Sequence, residues 1–213
     1  MNIAIFGATG ATGQILTTSC LSAGHSVTAL ARTPEKLPQR DKVHVIQGSA
    51  FDPVSVRRAV EGAEVVFSAL GAHSPIRNEN VLPRAVPVIV EAMQQADVRR
   101  IIVLGSAGAL SDSLKYQPAW RRWIIQQIVY KFLLKWPIAE QMSQYATLSA
   151  SSLDWTMVMP PKLTNGPARG AYRVDGEALP PNGIRISRAD VAAFMMQQIE
   201  NPQWVRKGVY ITW

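Results

Sequence analysis

The sequence predicts a doubly wound α/β fold, a parallel sheet covered by helices on both faces. Three observations carry that expectation. Short apolar runs recur along the chain and alternate with segments of helical length. A glycine-rich turn, "GATGATG", directly follows the first run and opens a helical pattern. Finally, 213 residues with 47% hydrophobic and 17% charged side chains suit one globular domain with a real core. Alternating strands and helices require right-handed crossovers, which place the strands parallel.

The elements follow in order. Ile3 to Phe6 reads as a buried strand, and Thr12 onward as a helix stopped at Gly24. Strands follow at Ser26–Ala31, Val43–Gln47, Glu64–Leu70, Arg100–Leu104 and Trp155–Met159. Between them lie helices at Pro53–Val60 and Leu82–Ala96 and a helical region from Ala119 to Ser151. A last helix, Arg188–Glu200, starts at Ser187 with Asp190 three residues on, a variant capping box read as structural. Gly208–Ile211 closes the sheet. The whole chain reads as one domain, 1–213, with a small substrate lobe on its carboxyl side built from segments near 111–138 and 160–186.

In such sheets ligands bind beyond the carboxyl ends of the strands. Gly7, Gly10 and Gly13 sit at the first of those ends. Glycines permit a tight turn and close approach of a ligand, and the first amides of the following helix face an anion with the positive end of the helix dipole behind them. Strand, glycine turn and helix in that order predict a dinucleotide pyrophosphate site. Further candidate contacts come from the other strand ends: Ser49 and Ala50, Leu70 and Gly71, Ser106, and Pro160. After the second strand, where an NAD-binding domain usually carries an acid, stands "ARTPEK". Arg32, nineteen residues beyond Gly13, with Thr33 and Lys36, suits a ribose 2′-phosphate and favours NADP(H). The alternative is a solvated polar loop.

The one cysteine, Cys20, falls inside the first helix and is expected to be a small buried residue. Three scattered histidines and that cysteine offer no metal-ligand spacing, so no metal is expected. A net charge of +7 admits anionic partners, but no helix-turn-helix, zinc-finger or RNA-binding signature accompanies it, and nucleic acid is not expected. Met1 stands directly before the first strand, which predicts a cytoplasmic protein without a targeting segment.

"GATGATGQ", "LGSAG", the stretch from Ser151 to Val174 and "ISRADVAAFM" together resemble the atypical short-chain dehydrogenases, in particular the biliverdin-IXβ reductase and NADPH-flavin reductase group. The densest agreement is Met159-Pro160-Pro161 with Leu163, Thr164, Gly166, Pro167, Gly170 and Tyr172. The resemblance covers nearly the whole chain and implies a Rossmann-like NAD(P)-binding domain. It implies pyrophosphate contacts from Gly7, Thr9, Gly10, Ala11, Thr12 and Gly13, and 2′-phosphate contacts from Arg32, Thr33 and Lys36. Ser106 matches a family serine beside the nicotinamide and is the catalytic candidate. The chain departs from the pattern at Ser49, where an acid is common, and from Asp112 to Ile138.

Ordinary short-chain dehydrogenases use a Tyr-x-x-x-Lys pair to protonate a carbonyl. No tyrosine here has a lysine four residues on. A conjugated acceptor such as a flavin, quinone or linear tetrapyrrole needs less help, because charge delocalises and solvent supplies the proton. The expected activity is therefore NADPH-dependent reduction of such an acceptor; a dinucleotide-sensing regulator is the rival, and a sugar-nucleotide epimerase is disfavoured by the missing pair. Ser106 either orients the acceptor or carboxamide, or closes its strand end. His73 is a proton donor or a solvated loop residue. Lys162, Arg169 and Arg173 either receive an anionic substrate or face water. Residues 113–139 hold no acid, five cations and six aromatics, which reads as a lid, a membrane or subunit contact, or ordinary packing.

Overall fold

Alternation along each strand divides the core into two layers. Ala4 and Phe6 of β1 (Asn2–Phe6) join Ile101 and Val103 of β5 (Arg100–Leu104) and Met157 and Met159 of β6 (Asp154–Met159) on one face. Ile3, Ile5, Ile102 and Val158 line the other. The computed structural model describes residues 1–72, 74 and 77–213, and within them every side chain except those of Ser111, Phe132 and Leu133. His73 lies outside the described residues.

The remaining strands are β2 (Ser26–Ala31), β3 (His44–Gln47), β4 (Val65–Ser68), β7 (Lys162–Thr164), β8 (Arg173–Asp175), β9 (Arg185–Ser187) and β10 (Lys207–Thr212). Eight of them form one sheet in the order β3-β2-β1-β4-β5-β6-β10-β8. All pairs in it are parallel except β10 with β8, where Tyr210 stands opposite Asp175. Helices α1 (Ala11–Ser22) and α6 (Arg188–Gln197) pack together on one face; α2 (Pro53–Val60), α3 (Val81–Gln95) and α5 (Lys135–Ala150) cover the other. The doubly wound architecture is as the sequence predicts, and strand order reverses at β1, between β2 and β4. That reversal opens a crevice above the carboxyl ends of the strands.

Local chemistry sets the element ends. Gly24 adopts φ +78° just past α1, a left-handed conformation that stops the helix at small cost only for glycine. Asp52 caps α2 by accepting the Ser55 amide at 3.0 Å. Cys20 is fully buried, its sulfur 3.4 Å from that of Met196, and burial pushes its thiol up to about 12.

Two regions are more finely divided than the sequence indicates. The region from Ala119 is not one helix: α4 (Ala119–Ile124) runs on as a π-helical stretch, Ile125–Leu133, and the backbone breaks at Leu134 before α5 begins. The 160–186 segment forms no lobe of its own sheet alone. β7 and β9 pair as a small parallel ladder, while β8 adds an antiparallel edge to the main sheet. The two segments expected on the substrate side do meet: Gln117 donates to the carbonyls of Leu179 and Pro180 at 3.1 and 3.0 Å, and the Leu179 amide donates to Ser113 at 2.8 Å.

Candidate functional site

The glycine turn is built by two constraints. Gly7, at φ +80°, has no room for a side chain, since a Cβ would lie 2.6 Å from the Ala69 carbonyl oxygen. A Cβ on Gly13 would stand 2.0 Å from the Gly7 carbonyl oxygen, so α1 rests directly on the turn it follows. The Gly10 amide closes the turn on the Gly7 carbonyl at 3.0 Å. Gln14 then braces it, donating to the carbonyls of Thr9 and Lys36, both at 3.1 Å, and so ties the glycine turn to the segment after β2. α1 has neither a side-chain cap nor an acid in its first turn. Its positive end is left for an external anion.

Around this turn lies a cleft of about 660 Å³ at the strand reversal. Gly7, Thr9, Gly10, Ala11 and Thr12 form one wall, Arg32 stands at the end of β2, and Ser49, Ala50, Leu70 and Gly71 close the sides. The structure thus brings together ten of the residues expected from sequence. Five others lie outside the lining. Gly13 is buried beneath the turn and acts through packing. Thr33 and Lys36 are exposed, and Lys36 meets the glycine turn through its main-chain carbonyl. Ser106 follows Gly105, which does line the cleft. Its hydroxyl accepts from the Gly108 amide at a long 3.5 Å, and its carbonyl accepts from Ala109 at 3.0 Å. Pro160 is buried and holds this loop by accepting the Ala107 amide at 2.9 Å.

Phe51 and Leu163 line the cleft from strand-end segments that the sequence marks, while Glu79, Gln141 and Arg188 escaped the sequence reading. Phe51 lies in the loop after β3, and the Arg84 guanidinium stacks 4.1 Å from its ring centroid. Glu79 accepts the Ser74 amide at 3.1 Å. Gln141 comes from α5, where its carbonyl oxygen accepts from Gln144 at 3.1 Å; Gln144 also donates to the Leu104 carbonyl at the end of β5.

The basic residues are redistributed. Arg173 is spent on the main-chain carbonyls of Pro181 and Trp213, at 2.7 and 2.6 Å, and Arg169 lies flat on Trp213 with 3.6 Å to the ring centroid. Lys162 is exposed and outside the lining. Arg188 takes the place expected of them, at the cleft and bonded to Asn165 at 2.6 Å. It sits there because Ser187 caps α6 beside it. Asp190 does more than complete a capping box. Its buried carboxylate accepts the amides of Arg169 and Gly170 and the Trp213 indole at 2.8 to 3.1 Å, pinning the loop after β7 to α6.

A family model described as NAD(P)H-binding matches residues 7–202, from the glycine turn to the last helix. The chain belongs to this NAD(P)H-binding family. The cleft fits the cofactor: an uncapped helix, a turn whose backbone is bare, and a cation at the end of β2. Proteins of known structure share the fold. A short-chain dehydrogenase/reductase from Veillonella parvula, solved with NADP, superposes with a TM-score of 0.80 at 23% identity, covering 100% of this chain and 94% of that one. ChuY, an anaerobillin reductase from Escherichia coli O157:H7, gives 0.77 at 22% identity, covering 100% and 99%. The bifunctional pinoresinol-lariciresinol reductase 1 of Thuja plicata is 23% identical over 98% of this chain and 68% of its own length.

Proposed function

We propose that this NAD(P)H-binding protein is an NADPH-dependent reductase of a flat conjugated acceptor, a flavin, quinone or linear tetrapyrrole. The observation that carries the reading is the make-up of the cleft. Its described lining contains no tyrosine, lysine, histidine or cysteine, while the glycine turn from Gly7 to Thr12 and Arg32 stand together at one end. Bound NADPH supplies a hydride. The bare turn and the end of α1 hold the pyrophosphate, and Arg32 holds the 2′-phosphate. Leu70, Leu104 and Leu163 give the walls an apolar character suited to a planar ring and unsuited to bulk water. Among the described lining residues there is no side-chain acid of the tyrosine type, which suits an acceptor that delocalises the incoming charge and takes its proton from solvent.

Ser106 acts as a positioning residue at the reacting end. Ser106→Ala should lower kcat by up to about 100-fold, the range of lost positioning, and leave NADPH affinity unchanged. The reductant belongs to the cell interior, which puts the reaction in the cytoplasm.

The experiment is a screen of NADPH oxidation over flavins, quinones and tetrapyrroles, with NADPH and NADH binding measured in parallel. Turnover of any one class supports the reading. Tight NADPH binding with no turnover of all three overturns it and assigns the protein to cofactor sensing.

A further inference from the structure

We propose that the helical arm from Ala119 to Leu133 docks on an anionic membrane surface. Four large apolar side chains on this arm are exposed: Trp120 by 67%, Trp123 by 61%, Ile124 by 39% and Ile128 by 46%. They fall at i, i+3, i+4 and i+8, which on a helix is one stripe. The arm does not need this stripe for packing, because Ile125 and Tyr130 already seat it on the core. Tyr130 also abuts the loop after β5, where a Cβ on Gly108 would lie 3.2 Å from its ring. The arm is therefore anchored on one side and apolar on the other.

Charge selects the occupant. Arg122 and Lys131 are exposed on the arm and Lys135 just beyond it, and no acid lies between Ser113 and Ala139. Among the described residues the nearby acid Glu177 is taken by Lys115 and Tyr116. A second copy docked through this stripe would bring two patches of the same positive sign together, which is repulsive. An anionic bilayer accepts both features, with the indoles at headgroup depth and the cations on the phosphates. Attachment would be peripheral, since no helix among the described residues is long and apolar enough to cross a membrane.

The test is flotation of the full chain with vesicles of phosphatidylcholine alone and with added phosphatidylglycerol, together with sedimentation velocity in their absence. The expected result is flotation with the anionic vesicles only, a blue shift of tryptophan emission on binding, and release by high salt. The triple variant Arg122→Gln, Lys131→Gln, Lys135→Gln should lower the partition coefficient about a hundredfold, at roughly fivefold per cation. Trp120→Ser with Trp123→Ser should abolish the blue shift. Both variants alter exposed side chains, and unchanged NADPH binding shows that they fold. Native protein that floats with neither vesicle overturns the proposal, as does flotation that the cation variant leaves intact. A native dimer dissolved by the tryptophan variant, with no flotation, would overturn it in favour of a second copy.

Discussion

In the proposed reading Arg32 and Gly7 serve the cofactor end by opposite means, one through charge and the other through absence of a side chain. Arg32→Ala removes a charge-assisted contact worth about 1.5–3 kcal/mol, so NADPH should bind roughly 10- to 150-fold more weakly. NADH affinity should stay within about twofold, because NADH lacks the 2′-phosphate that the guanidinium meets. Titration of the variant with both cofactors checks this, and equal affinities in the native protein would contradict the role given to Arg32. Gly7→Ala places a methyl against the Ala69 carbonyl at a backbone conformation of φ +80°. The left-handed conformation alone costs an alanine about 1–2 kcal/mol. The close contact adds to it, so the urea midpoint should fall and NADPH binding should weaken as the turn shifts.

At the scale of elements, α6 is where capping and site architecture meet. Burial opposes ionisation of Asp190, but the Gly170 and Arg169 amides, the Ser187 hydroxyl and the Trp213 indole outweigh it and hold the carboxyl below its usual value. A depressed native value means that the unfolded chain binds the proton first, so stability rises with pH across that interval. The contribution is complete above the unfolded carboxylate value of about 3.9 and is lost as pH falls through the native one. Asp190→Asn should therefore lower Tm at neutral pH and flatten the acid limb of the stability curve. Equal acid dependence in the two proteins would show that Asp190 is not the group responsible. The same substitution should disturb Arg188 at the cleft, since the Ser187 cap and the 169–170 loop share this carboxylate.

For the whole molecule, the proposed cofactor site bears on stability as well as on the reaction. The cleft draws residues from the ends of β1 to β5, from α5 and from the start of α6, so binding couples both layers of the fold. NADPH at about 100 times its Kd should add about 2.7 kcal/mol to stability, raising Tm by roughly 5–10 °C for a chain of this size. NADH at the same concentration should raise it less, and the difference should vanish in Arg32→Ala. Differential scanning fluorimetry of the two proteins with each cofactor checks both statements.

The sequence by itself determined the parallel sheet and the order of its main elements, and it marked the glycine turn and the cation that the structure sets in one cleft. These depend on local patterns: apolar runs bounded by turns, glycines at fixed spacing, and a cation at a fixed distance beyond them. β7, β8 and β9 were not legible, because each has only three residues among glycines and prolines and exists through pairing with distant strands. Tertiary structure also decided which basic side chain faces the cleft. Arg173 and Arg169 are held by Pro181 and Trp213, partners that only the closed sheet brings near, while the cap at Ser187 turns Arg188 inward. Gln141 is a similar case, since helical periodicity marks a polar face of α5 without saying what stands opposite it, and Glu79 lies in the loop before α3, where no local pattern marks it. Gly13 carries a further constraint that spacing alone does not reveal, the close packing of α1 on Gly7.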